Sequence, residues 1–428
     1  MDRFFELTAR GTNPRTEILA GIATYLTMVY IVVVNPSIMA AAGIDAGAAF
    51  VATCLAAAIG SALMGLLANF PIALAPGMGL NAYFAFAVVG GMGIPWQVAL
   101  GAVFLSGFLF FLVSIFKIRE WLVNGIPLSL KLGIAAGIGF FLGLIGLRGM
   151  GVVVANPATL VGLGPLSATS TLIASAGFVL IAGLVARNVP GAIVLGIIGT
   201  AALGLPFGLT EFKGLVSAPP SLAPTFLQMN IAGAIGVGLM GIVFTFFLVD
   251  LLDNTGTLIA TTHRSGLMNK DGTVPRLGRA LMADSGGAMM GAALGTSTTV
   301  SYIESAAGIQ AGGRTGLTAL TVAGLFLLTL FLAPLATSIP GFATAPALVF
   351  VACLMAKGLQ DLAWDDTTEY LPAILTALAM PFTFSIATGI GLGFVTYALV
   401  KTLAGRAGEV HGAVWLLAAL SAIKFAVM

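Results

Sequence analysis

Charge is what this 428-residue chain has least of: only 8% of its residues are Asp, Glu, Lys or Arg, against about 25% in an ordinary soluble domain. That shortage, beside 59% apolar residues and a mean hydropathy of +1.08, excludes a water-soluble globule. Lys and Arg number 18 and Asp and Glu 16, for a net charge of +2. No basic tract is present to neutralise a phosphate backbone, so nucleic acid is excluded as a partner. Cys54 and Cys353 stand inside apolar runs and make no disulfide framework. His263 and His411 are the only histidines and make no metal-ligand cluster, and no cofactor motif or nucleophile stands out to suggest a membrane enzyme. The N-terminus, MDRFFELTARGTNPRTEI, mixes acids with bases and lacks a small-residue cleavage site. The first apolar run is therefore expected to stay in the membrane.

What the chain has in abundance is apolar sequence in bilayer lengths, about 20 residues for a hydrocarbon core of ~30 Å. Regular runs cover 17–39, 48–68, 96–116, 131–149, 169–187, 233–260, 277–294, 316–336 and 371–387. Shorter runs, broken by Gly, Pro and Thr, cover 72–90, 190–205, 296–312, 343–358 and 388–403. Together they predict an all-α polytopic membrane protein of fourteen spans, with the apolar stretch 412–427, which carries Lys424, suited to the interface. Non-helical backbone at membrane depth is tolerated only where protein or a water-filled cavity satisfies it, so the broken runs mark cavities. Alternating fourteen spans from a cytoplasmic N-terminus puts Arg3, Arg10, Arg15, Lys117, Arg119, Lys131, Arg187, Arg264, Lys270, Arg276, Arg279, Arg314, Lys357, Lys401 and Arg406 inside, and only Arg148 and Lys213 outside. That asymmetry is the positive-inside signature and supports both the count and the orientation.

An internal repeat is visible. Residues 60–65 read GSALMG and residues 286–291 read GGAMMG, an offset of 286 − 60 = 226. Each is followed by a broken segment, PIALAPGMGLNAYFAF and GTSTTVSYIESAAGI, and setting Asn81 against Glu304 gives 304 − 81 = 223. Segments 1–7 then match segments 8–14, and an odd number of spans per half forces opposite orientations, as in the inverted repeats of secondary transporters, whose sites lie at the midplane. Small-residue runs also recur in membrane helices for packing alone.

Four acids lie in apolar surroundings, Asp250, Asp253, Asp284 and Glu304, and an intramembrane carboxylate is a site candidate by default. Asp250 and Asp253 are three apart on one helical face, extended by Asn254 and Thr257. Two close carboxylates repel when both ionise, which suits a group that binds and releases a proton. Ser301 to Glu304 reads as an S-x-x-E capping box after an extended β-branched run, Thr298 to Val300. Glu304 is therefore open to a capping role, a ligand role or both. On the other repeat Pro76 to Gly79 allows an extended approach and Asn81 falls in the first helical turn. Asp284 suits helix packing or a bridge to Arg279; Asn35, Thr24, Thr27 and Tyr30 are open to bordering the cavity or, for Thr and Tyr, to bonding backbone carbonyls, and Asp361, Asp365, Asp366 and Glu369 read as a solvated loop.

The strings FFELTARGTNPRTEILAGIATYLTMVYIVVVNPSIM, APGMGLNAYFAF, FLVDLLDNTGTLI and GTSTTVSYIESAAGIQAGGRTGLTA resemble the nucleobase/ascorbate transporter superfamily, in particular its AzgA-like purine permease branch. Ser305 stands after Glu304 where the xanthine/uracil branch usually has Asn. The resemblance covers nearly the whole chain and implies two inverted repeats of seven spans, with extended stretches before half-helices in segments 3 and 10. It implies a core domain, residues 1–117 and 232–337 (segments 1–4 and 8–11), and a gate domain, residues 118–231 and 338–428 (segments 5–7 and 12–14). It also implies proton symport of adenine, guanine or hypoxanthine across the plasma (inner) membrane, without a cofactor. Asn81, Asp250 and Glu304 match the family's substrate contacts, with Asp253 an accompanying polar position. A flat purine presents N–H donors and ring acceptors. Glu304 and Asp250 can accept from it, backbone N–H groups near Leu80 and Ile303 can donate, and Tyr83, Tyr302, Phe84 or Phe247 can stack. Protons would be carried by Asp250, Asp253 or Glu304. An anion transporter of this architecture conflicts with carboxylates at the site, a channel with breaks that are paired rather than ringed, and a homodimer is left open.

Overall fold

The computed structural model describes residues 2–115, 125–157, 159–236, 240–264, 274 and 276–427. Helices dominate. Those used below are α1 (Asp2–Phe5), α2 (Pro14–Met28), α3 (Ile31–Ala41), α4 (Ala46–Leu63), α5 (Met78–Ala82), α6 (Trp96–Ile115), α7 (Leu128–Gly149), α8 (Thr169–Ala186), α9 (Ala192–Gly204), α10 (Ile231–Ala234), α11 (Met240–Arg264), α12 (Leu277–Leu294), α13 (Ser305–Gln310), α14 (Gly316–Thr329), α15 (Ala333–Thr337), α16 (Gly341–Ala356), α17 (Thr367–Thr383), α18 (Ile386–Leu403) and α19 (Gly412–Val427). Eight helical stretches among the described residues are long and apolar enough to cross a membrane, and Met78–Gly91, Ala192–Phe207, Met240–Leu251 and Gly412–Ile423 are shorter apolar helices.

Helix starts follow local chemistry. Asn13 accepts from Thr16 N with Pro14 at the first helical position, while Asp45, Thr315, Asp366 and Ser385 cap α4, α14, α17 and α18. The first apolar run divides at Val29 and Tyr30 into α2 and α3, so Tyr30 sits at a break inside a span. The chain forms two compact units. One contains Met1–Ile115 with Pro165–Pro346, the other Phe116–Gly164 with Ala347–Met428.

The first unit is organised around a two-stranded ladder. Strand β1 (Leu74–Pro76) pairs antiparallel with β4 (Thr299–Ser301), with Leu74 opposite Ser301, Ala75 opposite Val300 and Pro76 opposite Thr299. At membrane depth a two-stranded ladder would strand its outer backbone groups, and here side chains satisfy them. The Ser61 hydroxyl donates to Leu74 O and accepts from Leu74 N, and the Ser305 hydroxyl accepts from Ala73 N. Asn254 Oδ1 accepts from Ser301 N. Tyr302 donates its hydroxyl to the Pro76 carbonyl at 2.6 Å. Behind the ladder α4 and α12 cross closely: a Cβ on Gly287 would lie 2.9 Å from Thr299 Oγ1 and 3.5 Å from the Gly60 Cα. Gly65 and Gly316 meet backbone to backbone. The glycines of both repeat runs thus let helices approach.

In the second unit α7 packs along α17 and α18, with Gly133 and Gly137 against Ala373 and Ala377, and with Phe141 4.9 Å from Phe384. A hairpin that the apolar pattern did not indicate, β2 (Val153–Asn156) with β3 (Leu160–Leu163), follows α7. Of the four acids expected in a solvated loop, Asp361 and Asp365 are exposed, whereas Asp366 and Glu369 are built into an ion network. Lys401, 1% exposed, bridges Glu369 at 2.7 Å and Glu409 at 2.9 Å, and Arg406 bridges Glu409 at 2.8 Å and Asp366 at 2.7 Å. Glu369 also accepts from the Ser129 and Tyr397 hydroxyls. Capping and lysine burial, neither visible in a charge count, explain the difference.

Candidate functional site

The ladder fixes where the two half-helices begin. β1 runs through Gly77 into α5, and Gly77 N donates to Thr298 O at 2.9 Å. β4 runs through Tyr302 and Ile303 into α13. The long helix α11 packs against both α5 and α13, so the helix of Asp250 touches the half-helix that carries Asn81 and the one that Glu304 precedes.

Asn81 is fully buried, and neither its Oδ1 nor its Nδ2 has a hydrogen-bond partner among the described residues. A primary amide left so costs about 1–3 kcal/mol for each unmet group. Asp250, also fully buried, accepts at Oδ1 from Asn254 Nδ2 at 2.6 Å. Asn254 in turn receives Ser301 N at 2.8 Å. One amide therefore ties the α11 carboxylate to the β4 backbone and orients it. The Asp253 side chain, paired with Asp250 by sequence spacing, lies outside the described residues.

Glu304 does not form the capping box. It precedes α13 without a side-chain cap bond, and its Oε1 accepts from the Tyr30 hydroxyl at 2.8 Å. Ser301, held in β4, gives its hydroxyl to Asp284 at 3.0 Å instead. Ladder pairing pulls Ser301 out of any helical cap, which frees Glu304 to point elsewhere. Ile303 is 46% exposed beside it. Leu80 falls in the first turn of α5, where N–H groups have no helical acceptor by position.

Of the aromatic candidates, Tyr83 is buried against Phe246, ring centres 5.1 Å apart and edge to face. Phe247 lies 6.4 Å from Phe110 in a similar arrangement, Phe84 is fully buried, and Tyr302 serves as the cross-tie to Pro76.

Three polar residues matter more than the sequence indicated. Tyr30 is fully buried and reaches Glu304. Asn35 donates to Thr53 at 2.7 Å and Thr296 at 2.8 Å, linking α3, α4 and the approach to β4. Glu17, at the head of the first apolar run and not among the acids singled out from the sequence, is fully buried. Its carboxylate accepts from Arg314 N at 2.9 Å, Thr315 N at 3.2 Å and the Thr318 hydroxyl at 2.6 Å. Asn13 and Pro14 mark its helix start in the sequence, but the donors come from residues about 300 positions away and leave no local signal.

Comparison with known proteins points one way. A model of the permease family matches residues 15–392. Adenine permease AdeP of Escherichia coli (strain K12) is 48% identical over 424 residues, covering 99% of this chain and 95% of that protein. Guanine/hypoxanthine permease PbuG of Bacillus subtilis (strain 168) is 44% identical over 423 residues, covering 96% of each. Among solved structures, the transmembrane domain of a cyanobacterium bicarbonate transporter, BicA, superposes with a TM-score of 0.67 at 16% identity over 87% of this chain and 96% of that one. That last likeness concerns the fold alone.

Proposed function

Because the chain belongs to the permease family of nucleobase/ascorbate transporters, multi-pass membrane proteins rather than enzymes, we propose that it imports adenine, guanine or hypoxanthine by proton symport through the plasma (inner) membrane. The observation that carries the reading is Asn81, a buried amide with no partner among the described residues, on a half-helix packed against the helix of Asp250. An amide offers one acceptor and two donors, which complements a purine edge carrying both N–H and ring nitrogen. Glu304, steadied by Tyr30, and Asp250, steadied by Asn254, add acceptors for ligand N–H groups. A site of buried polar groups discriminates strongly against ligands that leave them unpaired. Asp250, Asp253 and Glu304 are the proposed proton carriers, and backbone N–H groups at Leu80 and Ile303 complete the contacts.

The proposed topology is fourteen spans in two inverted repeats, with the N-terminus cytoplasmic. The ladder supports it, since its central pair, Ala75 and Val300, is offset by 300 − 75 = 225, between the offsets of the GSALMG run and of Asn81. A two-fold axis through that pair would relate the halves. Alternating access then follows if the core, residues 1–117 and 232–337, moves against the gate, residues 118–231 and 338–428. An anion substrate, suggested by the fold of a bicarbonate transporter, would meet carboxylates at the site.

The test is uptake into proteoliposomes of radiolabelled adenine, guanine and hypoxanthine against uracil, xanthine, sulfate and bicarbonate, with an inward proton gradient. Purine accumulation that a protonophore abolishes, and that survives replacement of Na⁺ by K⁺, is the expected result. Accumulation of uracil or an anion in preference overturns the substrate, and dependence on Na⁺ overturns the coupling.

A further inference from the structure

The hairpin after α7 has no role in the site, and its composition is unusual. Between Arg148 and Arg187 the chain has no charged residue. Val153 pairs with Leu163, Val154 with Gly162, Ala155 with Val161 and Asn156 with Leu160, so Leu163 and Val161 share one face while Leu160 and Val154 lie on the other. Both faces are bare: Leu160 and Leu163 are each 73% exposed, and Val154, Val161 and Leu166 are exposed as well.

Two physical limits then locate the ribbon. A two-stranded hairpin is marginal in water unless a face is covered, and across the two faces of this one Asn156 is the one polar strand residue. The outward N–H and C=O groups of a two-stranded ribbon have no ladder partner, which bars such a ribbon from the hydrocarbon. Only the bilayer interface supplies both acyl chain and water. The hairpin is held there by its attachment, because Val152 N donates to Leu147 O at 3.0 Å and Gly164 N to Val152 O at 2.8 Å. Both strands are thereby fastened to the last turn of an apolar span, Leu128–Gly149.

We propose that the two strands, Val153–Asn156 and Leu160–Leu163, form an interfacial anchor that stands on edge in the headgroup layer at the end of α7, with Val154 and Leu160 on one face and Val161 and Leu163 on the other against the upper acyl chains. It fixes the depth of α7, and its partner is the lipid surface. The inference rests on α7 spanning the membrane but not on the identity of the substrate.

The test uses spin labels at Leu160→Cys and Leu163→Cys in a Cys54→Ala/Cys353→Ser background, reconstituted in phosphatidylcholine vesicles, with Glu211→Cys as an exposed control. Collisions with a neutral nickel chelate should be several-fold fewer than at residue 211 and collisions with oxygen more frequent. Both values should hold when the protein is diluted to one copy per vesicle and when adenine is added. Nickel access equal to the control overturns the anchor. So does protection lost on dilution, which would mean a contact between copies, or protection appearing only with adenine, which would mean a lid. If the cysteine variants do not fold, the added emission of Val154→Trp serves: quenching by lipids brominated high on the acyl chain supports the anchor, and no quenching overturns it.

Discussion

Tyr30→Phe isolates the bond that ties the broken first span to the Glu304 carboxylate. The phenyl ring keeps the packing of a fully buried tyrosine, so only the hydroxyl and its 2.8 Å bond to Oε1 are lost. A hydrogen bond to an ionised group contributes about 1.5–3 kcal/mol net. If that bond holds the carboxylate in the geometry that receives a purine N–H, the loss should appear in binding as a Kd raised on the order of 10- to 150-fold. A control lies close by on α2. Tyr25 makes a 2.6 Å bond to Thr329, and Tyr25→Phe removes the same chemical group without touching Glu304. Equilibrium binding of radiolabelled adenine and guanine to purified protein, beside a thermal melt, separates the cases: Tyr30→Phe should weaken binding with little change in melting, and Tyr25→Phe should leave binding intact. A Kd within twofold of the parent for Tyr30→Phe, or equal losses in both variants, would refute the orienting role.

Asn254→Leu should also weaken binding, because it frees the Asp250 carboxylate and strips Ser301 N of its acceptor; an unchanged Kd would remove Asp250 from the site. Lys401→Met leaves the partly buried Glu369 without its cation, where breaking a fully buried pair would cost about 3–5 kcal/mol. A smaller loss is expected because the Ser129 and Tyr397 hydroxyls remain; adding Glu369→Gln should recover much of the melting temperature, and no recovery would mean the pair is not coupled. Hydrogen bonds from Arg406 and then Lys401 hold the exposed Glu409 carboxyl down from 4.5 to about 2. A depressed carboxyl stabilises the fold fully above its unfolded value and loses that contribution as pH falls through the folded one. The melting temperature should therefore drop between about pH 4.5 and 2, and Glu409→Gln should flatten that part of the profile. Gly316→Ala drives a methyl into the Gly65 carbonyl, and overpacking of this kind costs about 1–3 kcal/mol, to be read as a lower melting temperature with wild-type Kd in the protein that folds.

Much of the molecule was legible because the bilayer makes its demands locally. Apolar runs of membrane length, the interruptions at 72–90 and 296–312 and the carboxylates inside apolar sequence are each properties of a few neighbouring residues. The run Thr298 to Val300 overlaps β4, while on the other repeat the strand, Leu74–Pro76, comes earlier than the expected Pro76 to Gly79, whose Met78 and Gly79 are already helical. Other features were unreadable for one physical reason. A polar side chain in sequence is equally a cap, a loop residue or a ligand, and the choice depends on which donors converge on it from elsewhere. Tyr30 and Glu304 are 274 residues apart and Arg314 N and Glu17 are 297 apart. The S-x-x-E box gave way once ladder pairing claimed Ser301. Composition and periodicity alone determined that this chain lives in a membrane, that its helices break within 72–90 and 296–312, and that Asp250 and Asp284 lie in apolar surroundings. Only the tertiary structure decided that Glu17, Asp284 and Lys401 are engaged by neighbouring groups while the Asn81 amide finds no partner among the described residues, because satisfying a buried polar group is a matter of three-dimensional proximity that no local pattern encodes.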